Sequence, residues 1–144
     1  MAELIVRYLH FISLFFLFAA LAVEYALISP ELSRSQLRKL ARVDSVYGLS
    51  AVVVLIAGFS LWFWVGKPAS FYTTNGLFHL KIGLFIVVGL LSIYPTVFFF
   101  KSRRPGAEST PVPPWVIRLI KTELIILLCL PLLAVMMARG IGLH

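Results

Sequence analysis

The chain has 144 residues, of which 60% are hydrophobic and 13% are charged. A soluble domain is about half apolar and about a quarter charged, so this composition excludes an ordinary soluble domain and indicates an integral membrane protein. The formal net charge is +7, but it does not indicate nucleic-acid binding. Most of the basic residues flank apolar segments, where they orient membrane spans and contact anionic lipid headgroups.

Four apolar segments follow one another along the chain, at residues 4–28, 46–65, 77–100 and 115–138. Each is close to the ~20 residues that a helix needs to cross the hydrocarbon. Backbone groups in lipid have to be satisfied within the segment, so the segments are predicted to be helices. The connections between them are short. We therefore predict one transmembrane domain over residues 1–144, an all-α four-helix up-down bundle.

The basic residues of the connections predict the orientation of this bundle. The first and third connections carry several lysines and arginines, whereas the second carries only Lys67. The positive-inside rule then places the first and third connections in the cytoplasm and both termini outside it. Residues 31–42 are expected to form a short amphipathic helix in the headgroup region. The third connection is rich in proline and is expected to be irregular.

Two of the spans contain a histidine near their outer ends, His10 in the first and His79 in the third. With a rise of 1.5 Å per residue, they lie about 9 Å and about 3–5 Å along their helices, which are compatible depths. An ionisable side chain inside a span usually faces protein, a cavity or a cofactor. A neutral imidazole is an axial ligand of haem iron. The pair therefore predicts a haem site held by both histidines, and the alternative is that each one ties helices together by a hydrogen bond.

The neighbours of the two histidines suit such a site. Arg7 lies three residues before His10 and shares its face of the helix. Gly83 lies one turn after His79 and leaves a flat space beside the imidazole. Lys81 is about 200° from His79 around the helix, so it is expected to face elsewhere. Arg7 and Lys81 are candidate charge partners for haem propionates.

Acidic residues mark the opposite half of the bundle. Glu24 shares the face of His10 and lies about 21 Å further along the first helix, and Glu123 lies about 12 Å into the last span. Two carboxyl groups that face the interior are candidate catalytic groups, which would pass protons between the cytoplasm and a buried redox site. The alternative is that they form salt bridges with basic residues of the connections. Asp44 opens the second span and is interpreted as structural, either in a salt bridge with a basic residue of the connections or as the N-cap of the span.

Three short motifs in span order resemble those of the HemJ-type protoporphyrinogen oxidases, which are four-span bacterial membrane proteins that bind haem b. The motifs are Leu9-His10, His79-Leu80-Lys81, and Arg118 with Glu123. The chain is still more similar to a related, uncharacterised family of small four-span bacterial membrane proteins. By this resemblance, His10 and His79 match the histidines of the first and third spans, and His10 is a haem ligand.

The fourth-span motif departs from the pattern of the HemJ-type enzymes. Arg118 and Glu123 are separated by one residue more than the Arg-x-x-Asn-Glu spacing of that family. On a helix their side chains therefore lie about 140° apart and do not stack as an i, i+4 pair. This departure weakens the expectation that the protein oxidises protoporphyrinogen. It affects the expectations of a four-helix bundle and of a haem site less.

The resemblance implies a haem b-binding redox protein of the bacterial inner membrane. It would oxidise a porphyrinogen or transfer electrons to quinone. Independently of the resemblance, the composition predicts contact with membrane lipid, and the sequence leaves open a homo-oligomer or a place in a larger membrane complex. An alternative is a non-enzymatic accessory subunit or oligomeric scaffold in which the histidines are structural. A third possibility is a proton-coupled carrier that uses Glu24 and Glu123, although no inverted repeat is visible in the sequence.

Overall fold

The computed structural model of the chain describes residues 1–65, 68–102 and 108–141. Within these ranges it contains five α-helices: α1 (Ala2–Leu27), α2 (Arg34–Ser60), α3 (Ala69–Thr73), α4 (Gly76–Lys101) and α5 (Pro114–Ala138). It also contains two short strands, β1 (Glu31–Ser33) and β2 (Ser109–Pro111). A π-helical turn, Leu61–Val65, continues α2. Lys67 of the second connection and two basic residues of the third connection, Arg103 and Arg104, which entered the prediction of orientation, lie outside the described residues.

The four long helices form a bundle, and each is long and apolar enough to cross a membrane. α1 packs most extensively on α2 and α4 on α5, while smaller contacts of α1 with α5 and of α2 with α4 close the ring. Neighbouring helices are antiparallel along the chain, as expected for an up-down bundle. The prediction of an all-α integral membrane bundle is confirmed. In this arrangement α1 and α4 occupy diagonal positions.

The second helix begins at Arg34, well before the start that hydropathy predicted at residue 46. Its start is fixed by a capping box. The backbone N–H of Gln36 donates to the Ser33 hydroxyl at 3.2 Å, and the backbone N–H of Ser33 donates to the Gln36 side chain at 2.8 Å. The prediction of a separate interfacial helix at residues 31–42 is therefore wrong. Residues 34–42 form the first turns of α2, with Leu37 and Leu40 buried in the core.

The strands β1 and β2 join the first and third connections across one end of the bundle. They pair antiparallel, with Leu32 opposite Thr110, and the N–H of Val112 donates to the Pro30 carbonyl at 2.8 Å. Leu32 is fully buried and belongs to the same hydrophobic core cluster as Phe99. The expectation of an irregular third connection is therefore wrong for residues 109–111. This end of the bundle is covered by ordered chain.

Loss of the capping box is expected to weaken the bundle slightly. Ser33→Ala should lower the free energy of unfolding by about 1 kcal/mol, because the backbone N–H of Gln36 loses the hydroxyl that accepts its hydrogen bond. Reversible unfolding in mixed detergent micelles, followed by circular dichroism, measures this change. The matched control is Ser60→Ala near the other end of α2, where the hydroxyl bonds only the Ile56 carbonyl of its own helix. Equal losses in the two variants would contradict the assigned role of Ser33.

Candidate functional site

Three carboxyl groups from three helices form a buried cluster in the half of the bundle next to β1 and β2. Glu24 on α1, Asp44 on α2 and Glu123 on α5 have exposed fractions of 1%, 4% and 1%. Glu24 lies within hydrogen-bonding range of the Asp44 carboxyl, and its charge also interacts with that of Glu123. The sequence predicted Glu24 and Glu123 as candidate catalytic groups but predicted no contact between them. The structure brings both together with Asp44.

A tyrosine connects this cluster to the remaining span. Tyr47 lies one turn after Asp44 on α2 and is buried. Its hydroxyl donates to Oε1 of Glu123 at 3.2 Å. Ser92 on α4, which is half-buried, lies within hydrogen-bonding range of Tyr47. All four spans therefore bring a polar side chain to this part of the bundle.

The network is not fully satisfied by the protein. Oε1 of Glu24 and Oε2 of Glu123 are buried without a hydrogen-bond partner. The ion pair found within the described ranges joins Arg7 and Glu3 at the other end of the bundle. Salt bridges between the cluster and basic residues of the connections, the alternative interpretation, are thus not found in the described part of the chain. Unsatisfied buried carboxyl oxygens are costly, and they mark this cluster as a candidate site.

The position of Asp44 corrects the interpretation of this residue as a helix cap. The capping box at Ser33 starts α2 at Arg34, so Asp44 lies well inside the helix. It is buried, and it points toward Glu24 on α1 rather than toward the helix N-terminus. Asp44 is therefore a member of the carboxyl cluster and has no capping role.

A cavity of about 210 Å³ adjoins the cluster, between α2 and α4. Asp44 and Tyr47 belong to both the cluster and the wall of the cavity. The opposite wall comes from α4 and includes Phe85, Ser92 and Thr96. No histidine lines this cavity, so it is distinct from the predicted haem site.

His10 lies in the other half of the bundle and is partly buried against α2. Its Nδ1 is 3.3 Å from the carbonyl oxygen of Val54. A Cβ added to Gly58, one turn further along α2, would lie 3.4 Å from Cε1 of His10, so the imidazole ring lies directly against α2 at this position. When Nδ1 carries the proton and donates to a carbonyl, Nε2 carries the lone pair. Metal-binding histidines show this same arrangement.

His79 has a different environment, because it fastens the connection that precedes α4. Its side chain is exposed, and Nε2 is 2.7 Å from the carbonyl oxygen of Thr73. The Thr73 hydroxyl in turn accepts a hydrogen bond from the Trp62 indole N–H at 3.1 Å. Gly83 is also exposed, and a Cβ added there would meet nothing within 4 Å. The structure does not bring His79 and Gly83 together with His10.

Lys81 is the α4 side chain that approaches His10. It is half-buried, and its charge acts on the His10 ring together with that of Arg7. Lys81 and His79 therefore face different partners, as the angle of about 200° between their side chains predicts. The buried face of α4 contains Phe78 and Val88, and Lys81 lies on this face, three residues after one and seven before the other. Packing of these apolar side chains sets the rotation of α4.

Arg7 forms an ion pair with a residue of its own helix. Its guanidinium donates to Oε1 of Glu3 at 2.8 Å, and both side chains are substantially exposed.

Across the described residues, no group of three or more His, Cys, Asp or Glu side chains is placed to hold a metal ion. A metal centre built from protein ligands alone is therefore not found in this part of the chain.

Sequence reasoning missed several residues that shape the two sites. Tyr47 and Ser92 complete the carboxyl network, and Val54 and Gly58 hold the His10 ring. The sequence did contain a signal. Asp44, Tyr47, Val54 and Gly58 follow one another at intervals of three, seven and four residues, which places them on one face of a helix. It becomes readable only once α2 is known to start at Arg34.

Removal of the Tyr47 hydroxyl is expected to destabilise the bundle. In Tyr47→Phe, Glu123 loses the hydrogen bond to Oε1 and keeps an Oε2 that already lacks a partner. The free energy of unfolding should fall by about 1–3 kcal/mol, the cost of a buried polar group left unsatisfied. Unfolding in mixed micelles measures this, with the exposed Tyr94→Phe as the matched control. If both variants unfold like the wild type, the Tyr47–Glu123 bond contributes nothing to stability.

A protein-family comparison covers almost the whole chain. The family described as "Predicted membrane protein (DUF2214)" matches residues 2–142. No curated protein and no solved structure matches the chain. The comparison therefore gives the family and its membrane character.

Proposed function

We propose that this chain, which belongs to the DUF2214 family of predicted membrane proteins, is a haem b-binding redox protein of the HemJ-like kind. The observation that carries the proposal is the contact between Nδ1 of His10 and the Val54 carbonyl. This bond favours the tautomer in which Nε2 is available to iron. A haem in this position would supply one-electron redox chemistry.

The residues present fit one axial ligand better than two. His10 has the oriented ring that a ligand requires, and Lys81 and Arg7 place positive charge beside it, where propionate groups would be stabilised. His79 is the candidate second ligand, but the hydrogen bond between its Nε2 and the Thr73 carbonyl would first have to break. We therefore assign His10 as the main ligand. Gly83 has open space beside it and would tolerate a flat group nearby.

The carboxyl cluster supplies the proton-handling part of the proposal. Glu24 and Glu123 are buried and each has one oxygen without a partner. Carboxyl groups of this kind inside a membrane protein typically mark proton pathways. We propose that they exchange protons with the cytoplasm while His10 holds the redox group in the other half of the bundle.

The distribution of exposed basic residues supports the proposed orientation. The end of the bundle that carries β1 and β2 also carries exposed lysines and arginines on α2, α4 and α5, namely Arg34, Arg38, Lys39, Arg42, Lys101, Arg118 and Lys121. By the positive-inside rule this end faces the cytoplasm. We propose a bacterial inner-membrane location with the two chain ends on the other side.

Complementation tests the enzymatic part of the proposal. A bacterial strain that lacks protoporphyrinogen oxidase should regain growth without added haem when it expresses the wild-type chain. His10→Ala and Glu123→Gln should fail at equal expression. If the haem-loaded wild type also fails, porphyrinogen oxidation is excluded. Electron transfer to quinone would then be tested by mixing the reduced protein with a soluble quinone and following reoxidation of the haem.

A non-enzymatic accessory subunit or scaffold is the second candidate function. The bond from His79 to the Thr73 carbonyl favours it, because this histidine already has a structural role within the chain. In this alternative His10 likewise only ties α1 to the Val54 carbonyl of α2. The two candidates differ in one property, since the scaffold is colourless even when the expressing cells have ample haem.

A further inference from the structure

The carboxyl cluster and the cavity between α2 and α4 meet at Asp44. This residue is within hydrogen-bonding range of Glu24 and also forms part of the cavity wall. Within the described ranges, the ion pair found is the distant one of Arg7 with Glu3, so no protein cation neutralises the cluster there. Buried carboxylates need a compensating partner. The oxygens of Glu24 and Glu123 that lack a partner lie in the cluster and not in the cavity wall. Among the described residues, Asp44 is therefore the carboxyl group of the cluster that a cation in the cavity would meet.

The cavity wall has the composition expected of a site for an organic cation. Aromatic rings of Tyr47, Phe85 and Phe100 line it, and a cation over the face of an aromatic ring is attracted by its quadrupole. Gly48 and Gly89 face open space, since a Cβ added to either would meet nothing within 4 Å. Ligand pockets are mostly apolar with a small number of placed polar groups, which matches this wall.

The size and surroundings of the cavity limit the occupant. Its volume of about 210 Å³ is below the ~300–1,000 Å³ of pockets for drug-sized ligands, so the occupant is a small molecule. A hard metal ion would take about six or more oxygen ligands. The described residues offer no group of three acidic or histidine side chains placed to hold a metal. An ammonium group needs only a small number of acceptors.

We propose that the cavity between α2 and α4 binds a small lipophilic amine as its ammonium ion, with Asp44 as the recognition residue. Tyr47 and Phe85 contact the apolar part of the molecule. α2 packs less extensively on α4 than on α1, so the amine enters from the lipid between these two helices. The site lies in the opposite half of the bundle from His10 and does not depend on haem.

Calorimetry with a charged ligand and its neutral counterpart tests the proposal. The protein is reconstituted in lipid nanodiscs and titrated at pH 7 with 2-phenylethylamine and, separately, with 2-phenylethanol, and empty nanodiscs give the blank. The amine should bind about tenfold or more tightly than the alcohol, because a hydrogen bond to a charged group is worth at least that factor. Equal affinities, or no heat above the blank for the amine, would overturn the proposal.

Two variants locate the site, and each has a matched control. Asp44→Asn removes the charge from the cavity wall, and Gly89→Leu fills the cavity without touching the carboxyl groups. Both should weaken amine binding about tenfold or more. The controls are Glu3→Gln, which removes an exposed acid at the far end, and Gly76→Leu, which fills open space elsewhere on α4; both should bind like the wild type.

The two variants also separate a folding defect from loss of the site. If Asp44→Asn fails to fold, Gly89→Leu still decides, because its side chain enters open space. Amine binding that survives in a folded Gly89→Leu protein would show that the cavity is not the site. Since the titrations involve no haem, their outcome is independent of the test of the His10 assignment.

Discussion

His10→Ala protein, purified in detergent from cells with ample haem, is expected to lack a Soret band, whereas His79→Ala protein keeps it. The imidazole of His10 is the one whose Nδ1 faces a backbone carbonyl and whose Nε2 is thereby available to iron. The Nε2 of His79 is already engaged by the Thr73 carbonyl at 2.7 Å. Haem content per chain should fall at least about tenfold in His10→Ala, since even loss of an outer-shell partner costs that much metal affinity.

A third variant tests the orientation of the His10 ring without removing it. Gly58→Leu introduces a side chain whose first carbon would already lie 3.4 Å from Cε1 of His10. The ring has to turn away from α2, so the Soret band should weaken or shift. A control is Gly48→Leu, at the open glycine earlier on α2. A Soret band unchanged in both histidine variants would show that neither residue is the ligand, and loss only in His79→Ala would reassign the ligand to α4.

Glu24→Met is expected to make the bundle more stable than the wild type, by about 1–3 kcal/mol. A buried polar group that lacks a hydrogen-bond partner costs about this much, and an apolar side chain of similar volume removes the cost. In the wild type, Oε1 of Glu24 has no partner although the residue is almost completely buried. Asp44, which would remain, borders the cavity and can be solvated there. A residue that weakens the fold in this way is typical of a functional site.

Unfolding in mixed detergent micelles measures the effect of Glu24→Met against two controls. Leu17→Ala, at a fully buried apolar position two turns earlier on the same face of α1, should lose about 2–5 kcal/mol, as for other large-to-small core substitutions. Glu3→Met, at an exposed position, should change the free energy of unfolding little. If Glu24→Met destabilises the bundle as much as Leu17→Ala does, then the carboxyl group contributes to the fold and its functional assignment loses this support.

The spans could be predicted from sequence, but the rotation of the helices could not. Lipid requires long, internally hydrogen-bonded apolar segments, so hydropathy alone finds four of them. α4 is apolar on all sides, so its sequence pattern does not say which face is buried. Its rotation is set by packing of residues such as Phe78 and Phe99 against other helices. For this reason Lys81, and not His79, approaches His10.

The candidate site was only partly predictable for a similar reason. The Ser33-Arg34-Ser35-Gln36 sequence is a capping-box signal, and it could have placed Asp44 inside α2 rather than at its start. The bond of Tyr47 to Glu123 joins residues 76 positions apart, and no local pattern predicts such a pair. Sequence reasoning could therefore identify the buried acids but not the network that surrounds them.

The most direct test of the haem assignment is the haem content of the wild-type protein itself. The chain is purified in detergent from cells supplied with haem, and haem b is quantified by its pyridine haemochrome spectrum against protein concentration. His10 provides one oriented axial ligand per chain. Because histidine is an axial ligand of haem iron, we expect about one haem b per chain. A protein that remains colourless under these conditions would contradict it and leave His10 as a tie between α1 and α2.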